Sequence, residues 1–249
     1  MAPFDSGKAH WKNTMLLDPS CSQCDIRDAA FCKGVPEREA ARLETIATFL
    51  DVESGKTIIS EADPAEHIFN VTGGAVKLYK LMTDGRRQIT GFLFPGSFLG
   101  VSNHSEYAYT AEALTPTSLC RFPLKQFEAL LGEFPLIGQR MVSILMDDLA
   151  SAQSQMLLLG RKTARERVAS FLVLLADRTG VSAEDEPLLP IPMNRVDIAD
   201  FLGLTIETVS RTLTGLKKDG FIAIPDGGHI QVLDMDRLAA IAEHLSEHL

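Results

Sequence analysis

The sequence of 249 residues has no apolar run close to the roughly 20 residues that a membrane-spanning helix requires. Its first residues, MAPFDSGKAHWKN, lack the basic flank and apolar stretch of a secretory signal. We therefore expect a cytoplasmic protein with no membrane partner. Cysteines are also few, four in all, and a cytoplasmic chain keeps its thiols reduced, which disfavours a disulfide framework.

An excess of positive charge is absent as well. The chain has 24 Lys and Arg against 33 Asp and Glu, a formal net charge of −9. This charge favours solubility and gives no general attraction to nucleic acid, so any contact with DNA has to come from a local patch. Hydrophobic residues make up 45% and charged residues 23%, which is ordinary for a globular protein and argues against disorder.

Four regions differ in their pattern: residues 1–45, 46–130, 131–160 and 161–249. The first holds a cysteine cluster and a short amphipathic helix in VPEREAARLETIATFL. The second alternates with a period of two between Gly and Pro turns; in GAVKLYKLMTDGRRQITGFLF, Asp84-Gly85 predicts a hairpin turn. Many short strands at this spacing predict a small antiparallel roll or barrel.

The third region is predicted to be a long helix with a narrow apolar stripe. Its residues step by four and three, which is typical of a coiled-coil seam. Such a stripe is narrower than the usual face of a globular helix, so a twin helix in a homodimer is favoured over packing onto the neighbouring strands. The predicted dimerisation residues are Ile137, Met141, Ile144, Leu145, Leu149, Ala152, Met156 and Leu159.

The stretch MNRVDIADFLGLTIETVSRTLTGLKKDGFI predicts two short helices joined by a glycine turn. Asn194 and Thr205 are suited to cap the two helices, and Gly203 can adopt the positive φ of the turn between them. This arrangement is typical of a helix-turn-helix, whose second helix lies in the DNA major groove. The second helix is predicted to present Ile206, Glu207, Ser210, Arg211 and Thr214 on its outward face. The predicted DNA-binding residues are Ile206, Glu207, Thr208, Ser210 and Arg211.

The residue types on this face suit base readout. An Arg can bind guanine through two hydrogen bonds, and a Glu can accept one from cytosine. The alternative is an ordinary surface ion pair, because Glu207 and Arg211 are four residues apart; the complete motif favours DNA. Candidates for phosphate contacts are the basic residues around the motif, Arg161, Lys162, Arg165, Arg167, Arg195, Lys217 and Lys218.

Three of the four cysteines, Cys21, Cys24 and Cys32, fall within CSQCDIRDAAFC, and Cys120 lies far away in TPTSLCRFP. Four thiolates can bind an iron–sulfur cluster or a zinc ion. Zinc is less favoured because Cys120 has no second C-x-x-C beside it, and a thiol redox pair because nothing strand-like precedes Cys21. Inert buried thiols would explain Cys120 alone.

These features together resemble the CRP/FNR family of bacterial transcription regulators over nearly the whole chain. LGLTIETVSRTLTGLKKDGFI is similar to the family's DNA-reading signature. The resemblance implies an α+β fold with an N-terminal β-roll sensory domain, a long dimerisation helix and a C-terminal winged helix-turn-helix. It implies a regulator and not an enzyme, with Glu207, Ser210 and Arg211 contacting bases.

Within the family the cysteines resemble those of the FNR branch, the FnrL-like oxygen sensors. This implies a 4Fe–4S cluster on Cys21, Cys24, Cys32 and Cys120 that promotes homodimerisation and binding to a palindromic TTGAT-type operator at low oxygen. Contact with RNA polymerase is implied too. The seven residues between Cys24 and Cys32 are more than the branch commonly has.

Two other kinds of regulator share this fold. A cyclic-nucleotide binder would carry a Glu and an Arg-Ser pair after its Pro-Gly turn, and PGSFLGVSNHSEYAYTAEA has neither arrangement. A haem-based gas sensor remains an alternative, with His67 and His104 as its available histidines.

Overall fold

The computed structural model describes residues 21, 24, 30–32, 35–100, 102, 105–181, 187–225 and 227–243. In the amino-terminal half its elements are α1 (Glu37–Ile46), β1 (Thr48–Val52), β2 (Thr57–Ile59), β3 (His67–Gly73), β4 (Val76–Leu81), β5 (Arg87–Leu93), β6 (Phe98–Leu99), β7 (Thr110–Ala113), β8 (Thr117–Pro123) and α2 (Leu124–Glu133). The remainder contains α3 (Pro135–Arg161), α4 (Ala164–Thr179), β9 (Leu188–Pro190), α5 (Arg195–Leu202), α6 (Ile206–Lys218), β10 (Ile222–Ala223), β11 (His229–Val232) and α7 (Met235–Glu243).

The strands β1 to β8 form the predicted roll. One four-stranded antiparallel sheet has the order β1-β8-β3-β6, and the other has the order β2-β7-β4-β5. Apolar side chains from both sheets, among them Val71, Val76 and Leu119, form a common buried cluster. The β4–β5 hairpin is confirmed, with Gly85 at φ 85° in its turn.

Local patterns misplaced three features of the chain. The helical spacing extended to Leu50, but α1 ends at Ile46 and Leu50 lies in β1. In GAVKLYKL, Lys77 alternates with apolar Val76 and Leu78, a pattern that predicts an exposed side chain, yet Lys77 is only 7% exposed because it pairs with acidic residues. The polar, Pro-rich stretch VSAEDEPLLPIP has the composition of a loop, but it contains β9, which pairs with β11.

The long helix α3 turns sharply away from α2, with 115° between their axes. Among the described residues no single helix is both long and apolar enough to cross a membrane, although this bent pair reaches the required length and composition. One side of α3 packs on the roll through Ile137, Met141 and Ile144, and its other side is exposed.

Helices α4 to α7 and the three-stranded sheet β10-β11-β9 form a winged helix-turn-helix. Both predicted caps are confirmed: Asn194 accepts from the N–H of Asp197, and Thr205 accepts from that of Thr208. Gly203 lies in the turn at φ 62°. The domain packs against the roll through aromatic rings of Phe92, Phe171 and Phe201, whose centroids lie 5.1 to 6.1 Å apart. The α+β fold with roll, long helix and winged helix-turn-helix is therefore confirmed.

Candidate metal centre and nucleic-acid interface

The four cysteines line one small cavity where the amino-terminal segment meets the roll. Cys120 is at the middle of β8, where it pairs with Phe49 on β1 and with Asn70 on β3. Cys21, Cys24 and Cys32 reach the same cavity from the amino-terminal segment. A strand position and a distant loop thus supply sulfur to one place.

Two backbone hydrogen bonds and the burial of Phe31 hold the amino-terminal cysteines there. The N–H of Cys21 donates to Oε2 of Glu44 on α1 at 3.0 Å, and the carbonyl of Cys32 accepts from the N–H of Val35 at 3.1 Å. Phe31, directly before Cys32, is fully buried. Its burial therefore fixes the neighbouring cysteine against the roll.

The surroundings of Cys120 disfavour an isolated thiolate. Burial raises the pKa of its thiol far above the ordinary value, and the three other cysteines raise it further. A cationic centre reverses this preference, because metal ligation requires thiolates and releases their protons. The donor set is made only of sulfur, which suits an iron–sulfur cluster or zinc and does not suit magnesium or calcium.

The size of the cavity limits what it holds without rearrangement. Its volume is about 20 Å³, close to that of one water molecule. In the described part of the chain, no three cysteine, histidine or acidic side chains are arranged as ligands around a common metal position. The four cysteines therefore share one cavity, but among the described residues their sulfurs are not arranged as ligands of one group.

The reading face of α6 is exposed as predicted, apart from Thr208. Ile206, Glu207, Ser210 and Arg211 are exposed, whereas Thr208 is half-buried and its hydroxyl lies 3.0 Å from that of Thr205. Thr208 thus takes part in the helix cap. Val209, Leu213 and Leu216 are buried on the opposite side, as the spacing predicted.

The first turn of α6 keeps Glu207 ionised. Its own backbone N–H, the hydroxyl of Thr205 and the charge of Arg211 lower the pKa of this carboxyl. Among the ion pairs found within 4 Å between described residues, none joins Glu207 to Arg211. The guanidinium of Arg211 is therefore not held by its neighbour and can reach a base.

Three of the basic residues proposed for phosphate contact form hydrogen bonds or ion pairs with other residues of this protein. Arg167 donates to the carbonyls of Leu159, Lys162 and Leu202 at 2.9 to 3.0 Å. Lys162 donates to the hydroxyl of Ser170 and the carbonyl of Ala242. Arg165 pairs with Asp219 at 2.7 Å. The exposed cations on α6 itself, Lys217 and Lys218, are better placed for phosphate.

Comparison with known proteins agrees with both halves of the molecule. A Crp-like helix-turn-helix domain model matches residues 166–241, and a cyclic nucleotide-binding domain model matches residues 49–134. The nitrogen fixation regulation protein FixK of Bradyrhizobium diazoefficiens is 39% identical over 233 residues, which cover 92% of this chain and 98% of the relative. The transcriptional activator protein FnrL of Cereibacter sphaeroides is 39% identical over 222 residues, covering 88% and 90%. This chain belongs to the CRP/FNR family of transcription regulators.

The solved structure of FixK2 from Bradyrhizobium japonicum matches this CRP/FNR regulator with a TM-score of 0.74 and 35% identity, covering 81% of this chain and all of the other. The family resemblance and the expectation of a regulator, not an enzyme, are confirmed. So is DNA binding through the helix-turn-helix. The match to the cyclic nucleotide-binding model covers the roll.

The residues predicted for dimerisation divide into a buried set and an exposed set on α3. Ile137 and Met141 are buried against the roll and Ile144 packs beside them, so these three face their own subunit. Leu145, Leu149, Ala152 and Met156 are exposed, and Leu159 is half-buried against the DNA-binding domain. Exposed Val142 and Met146 were missed. Continuing the four-three step upstream from Leu145 would have found Val142.

The residues that surround the cysteines were also missed. Phe49, Asn70 and Leu43 line the cavity, and Phe31 and Glu44 position the segment. Only Phe31 had a local signal, as a large apolar residue beside a cysteine in a polar stretch. As for the haem alternative, His67 lies on β3 beside Phe69, and His104 lies outside the described residues.

Proposed function

We propose that this regulator senses oxygen through a 4Fe–4S cluster held by Cys21, Cys24, Cys32 and Cys120, and binds a palindromic TTGAT-type operator as a homodimer at low oxygen. The observation that carries the proposal is the common cavity of Cys120 and the three amino-terminal cysteines. Four thiolates are the usual ligand set of such a cluster. When bound, the cluster supplies an oxygen-reactive centre.

The apolar cluster beneath the cysteines links this site to α3. Phe31 and Cys120 share that cluster with Ile137 and Met141. Because packed interiors change between discrete arrangements, a displaced cysteine segment repacks the buried side of α3. The exposed seam lies on the other side of the same helix. Occupancy of the centre thereby favours one of two states of the helix, and with it the dimer.

A dimer presents two reading faces to the two halves of a palindrome. Half-sites one helical turn apart match the two-fold symmetry of such a protein. Exposed apolar residues on α3 support the dimer, because they need a partner to leave water. We also propose contact with RNA polymerase through the surface loops of the roll and through residues 180–190, and action in the cytoplasm.

A single zinc ion is the second candidate for the cysteine site. Four sulfur donors at one cavity also suit a single zinc ion. Family membership does not decide between them, since FixK and FnrL are both 39% identical to the chain and neither name states a metal or cluster.

Anaerobic purification followed by metal and sulfide analysis tests the proposal. We expect a straw-brown protein with four iron and four acid-labile sulfide per chain, and loss of both in Cys120→Ser. Binding to a TTGAT palindrome should fall after exposure to air. A colourless protein with one zinc per chain would replace the cluster proposal with a zinc site. A Soret band would replace it with a haem-based sensor.

A further inference from the structure

Five charged side chains join the roll to the DNA-binding domain. Nζ of Lys77 lies 3.1 Å from Oδ1 of Asp197 on α5 and 3.0 Å from Oε1 of Glu112 on β7. Arg87 on β5 donates from Nη2 to Oδ1 of Asp197 and from Nε to Oδ2 of Asp200, both at 2.9 Å. The side chains of Lys77 and Asp197 are 7% and 1% exposed, so salt screens this pair only weakly.

The two sides of this interdomain charge cluster carry opposite net charge. The roll contributes Lys77, Arg87 and Glu112, a net +1, and the DNA-binding domain contributes Asp197 and Asp200, a charge of −2. A buried carboxylate needs a partner, and both ion pairs found for Asp197 come from the roll. If the domains separate, Lys77 retains its ion pair with Glu112, and water can hydrate the carboxylate of Asp197. The contact between the two domains can therefore form and break reversibly.

Asp197 belongs to the helix that supports the recognition helix. It completes the capping box of α5, since its Oδ2 accepts from the N–H of Asn194 while its own N–H donates to Oδ1 of Asn194. Helix α5 leads through the turn at Gly203 into α6 and packs against it. The position of Asp197 therefore helps to set the position of α6 relative to the roll.

Apolar packing between the domains is incomplete beside the charge cluster. A cavity of about 630 Å³ separates part of the roll from α3 and α4, with Phe92, Leu174 and Phe201 among its lining residues. Domains of one chain move relative to one another unless their interface restrains them. The directional bonds of Arg87, and one from Nε2 of Gln88 to the carbonyl of Asp200 at 2.7 Å, supply such a restraint.

We infer that Lys77 and Arg87 are positioning residues for DNA binding: they fix α5 to the roll and so set the orientation in which each recognition helix meets the operator. The reading face of α6 remains exposed in this arrangement, so the contact is compatible with DNA. A fixed orientation favours simultaneous contact with two half-sites, because less freedom is lost on binding. The inference depends on DNA binding by the family and not on what the cysteines hold.

Hydrogen–deuterium exchange of the full-length protein tests the restraint without DNA. In Arg87→Gln we expect faster exchange in α5, although the substitution lies in the roll. Asp200→Asn should conversely speed exchange in β5. Arg86→Gln is the matched control, because Arg86 pairs with Asp84 in the hairpin turn and does not reach α5. Arg87→Lys keeps the charge without the two-pronged geometry and should be intermediate.

Binding to DNA gives the second readout, with a duplex of two TTGAT half-sites and a duplex of one. Arg87→Gln should weaken binding to the palindrome by roughly 5- to 150-fold, the range usual for coupling between sites, and affect the single half-site much less. Exchange in α5 equal to that of Arg86→Gln, equal losses on both duplexes, or tighter binding would each overturn the inference. If the wild-type protein does not bind this palindrome, the operator proposal fails. The hydrogen–deuterium exchange experiment then still tests whether Arg87 restrains α5.

Discussion

Phe31 packs edge-on against Phe122, with ring centroids 5.7 Å apart and planes at 79°. Phe31 directly precedes Cys32, and Phe122 lies two residues after Cys120. One aromatic contact therefore connects the amino-terminal cysteine segment to the strand that supplies the distant cysteine. Phe31 also meets Phe98 and Phe127 at 5.5 Å, so aromatic packing anchors the segment to the roll.

Phe31→Ala should lower the cluster content although all four cysteines remain. Truncating a buried Phe costs about 3–5 kcal/mol, and here the loss releases the segment next to Cys32. Iron and sulfide per chain, measured after anaerobic purification, check this. Phe31→Leu should retain more of the cluster, because it leaves a smaller void. Phe134→Ala, in the same apolar cluster but distant in sequence from the cysteines, is the control; equal loss there would contradict a specific anchor.

Arg211→Ala should weaken specific binding by about 1–3 kcal/mol per half-site and relax the preference at one base pair. The reason is that Arg211 is exposed on the reading face and held by no ion pair found within 4 Å among the described residues. Fluorescence anisotropy with operator variants and random DNA measures both effects. Lys218→Ala is the matched control: it should weaken all duplexes alike and reduce the salt dependence. Uniform weakening by Arg211→Ala would contradict base readout.

The helix-turn-helix was predictable because its signals are local. Asn194, Gly203 and Thr205 act on residues within three or four positions of themselves, so caps and turn could be read from the sequence. The same holds for the β4–β5 hairpin at Gly85. These features depend on backbone chemistry and not on which domain lies nearby.

The remaining features depend on contacts between distant residues. Periodicity revealed an apolar stripe on α3 but could not show that Ile137 and Met141 face the roll while Val142 faces outward. Lys77 is buried only because Asp197, 120 residues later, pairs with it. The cysteines could be grouped by their chemistry, whereas the roles of Phe31 and Glu44 required the fold.

Leu149→Glu should shift the regulator from dimer to monomer. Leu149 is 53% exposed at the centre of the outward face of α3, and a twin helix would bring two such charges together without water. Light scattering of anaerobic protein at micromolar concentration measures the change. Ser154→Glu is the control, because Ser154 is exposed on another side of the same helix. A dimer that survives Leu149→Glu would exclude this face.

Cluster-free protein should keep some dimer, because Ala152 on the exposed face of α3 is apolar. Two like charges at that position would oppose pairing, and this chain lacks them. Ala152→Asp should therefore lower the residual dimer in air-exposed protein, as measured by light scattering. If air-exposed wild-type protein is entirely monomeric at micromolar concentration, the prediction is wrong.

The contribution of Glu207 to specific binding should not change between about pH 8 and about pH 5.5. Its pKa is lowered below 4.5 by its own backbone N–H, the Thr205 hydroxyl and Arg211, so the carboxylate stays charged throughout this range. A carboxyl with a lowered pKa loses its effect only as the pH falls through that pKa. The ratio of operator affinities of the wild type and Glu207→Gln measures the contribution. Thr205→Val removes the hydroxyl that helps to lower this pKa, so on acidification the ratio should begin to fall at a higher pH than in the wild type. Thr205→Ser keeps the hydroxyl and should behave as the wild type does. A wild-type ratio that already falls near neutral pH would show that these groups do not keep Glu207 charged.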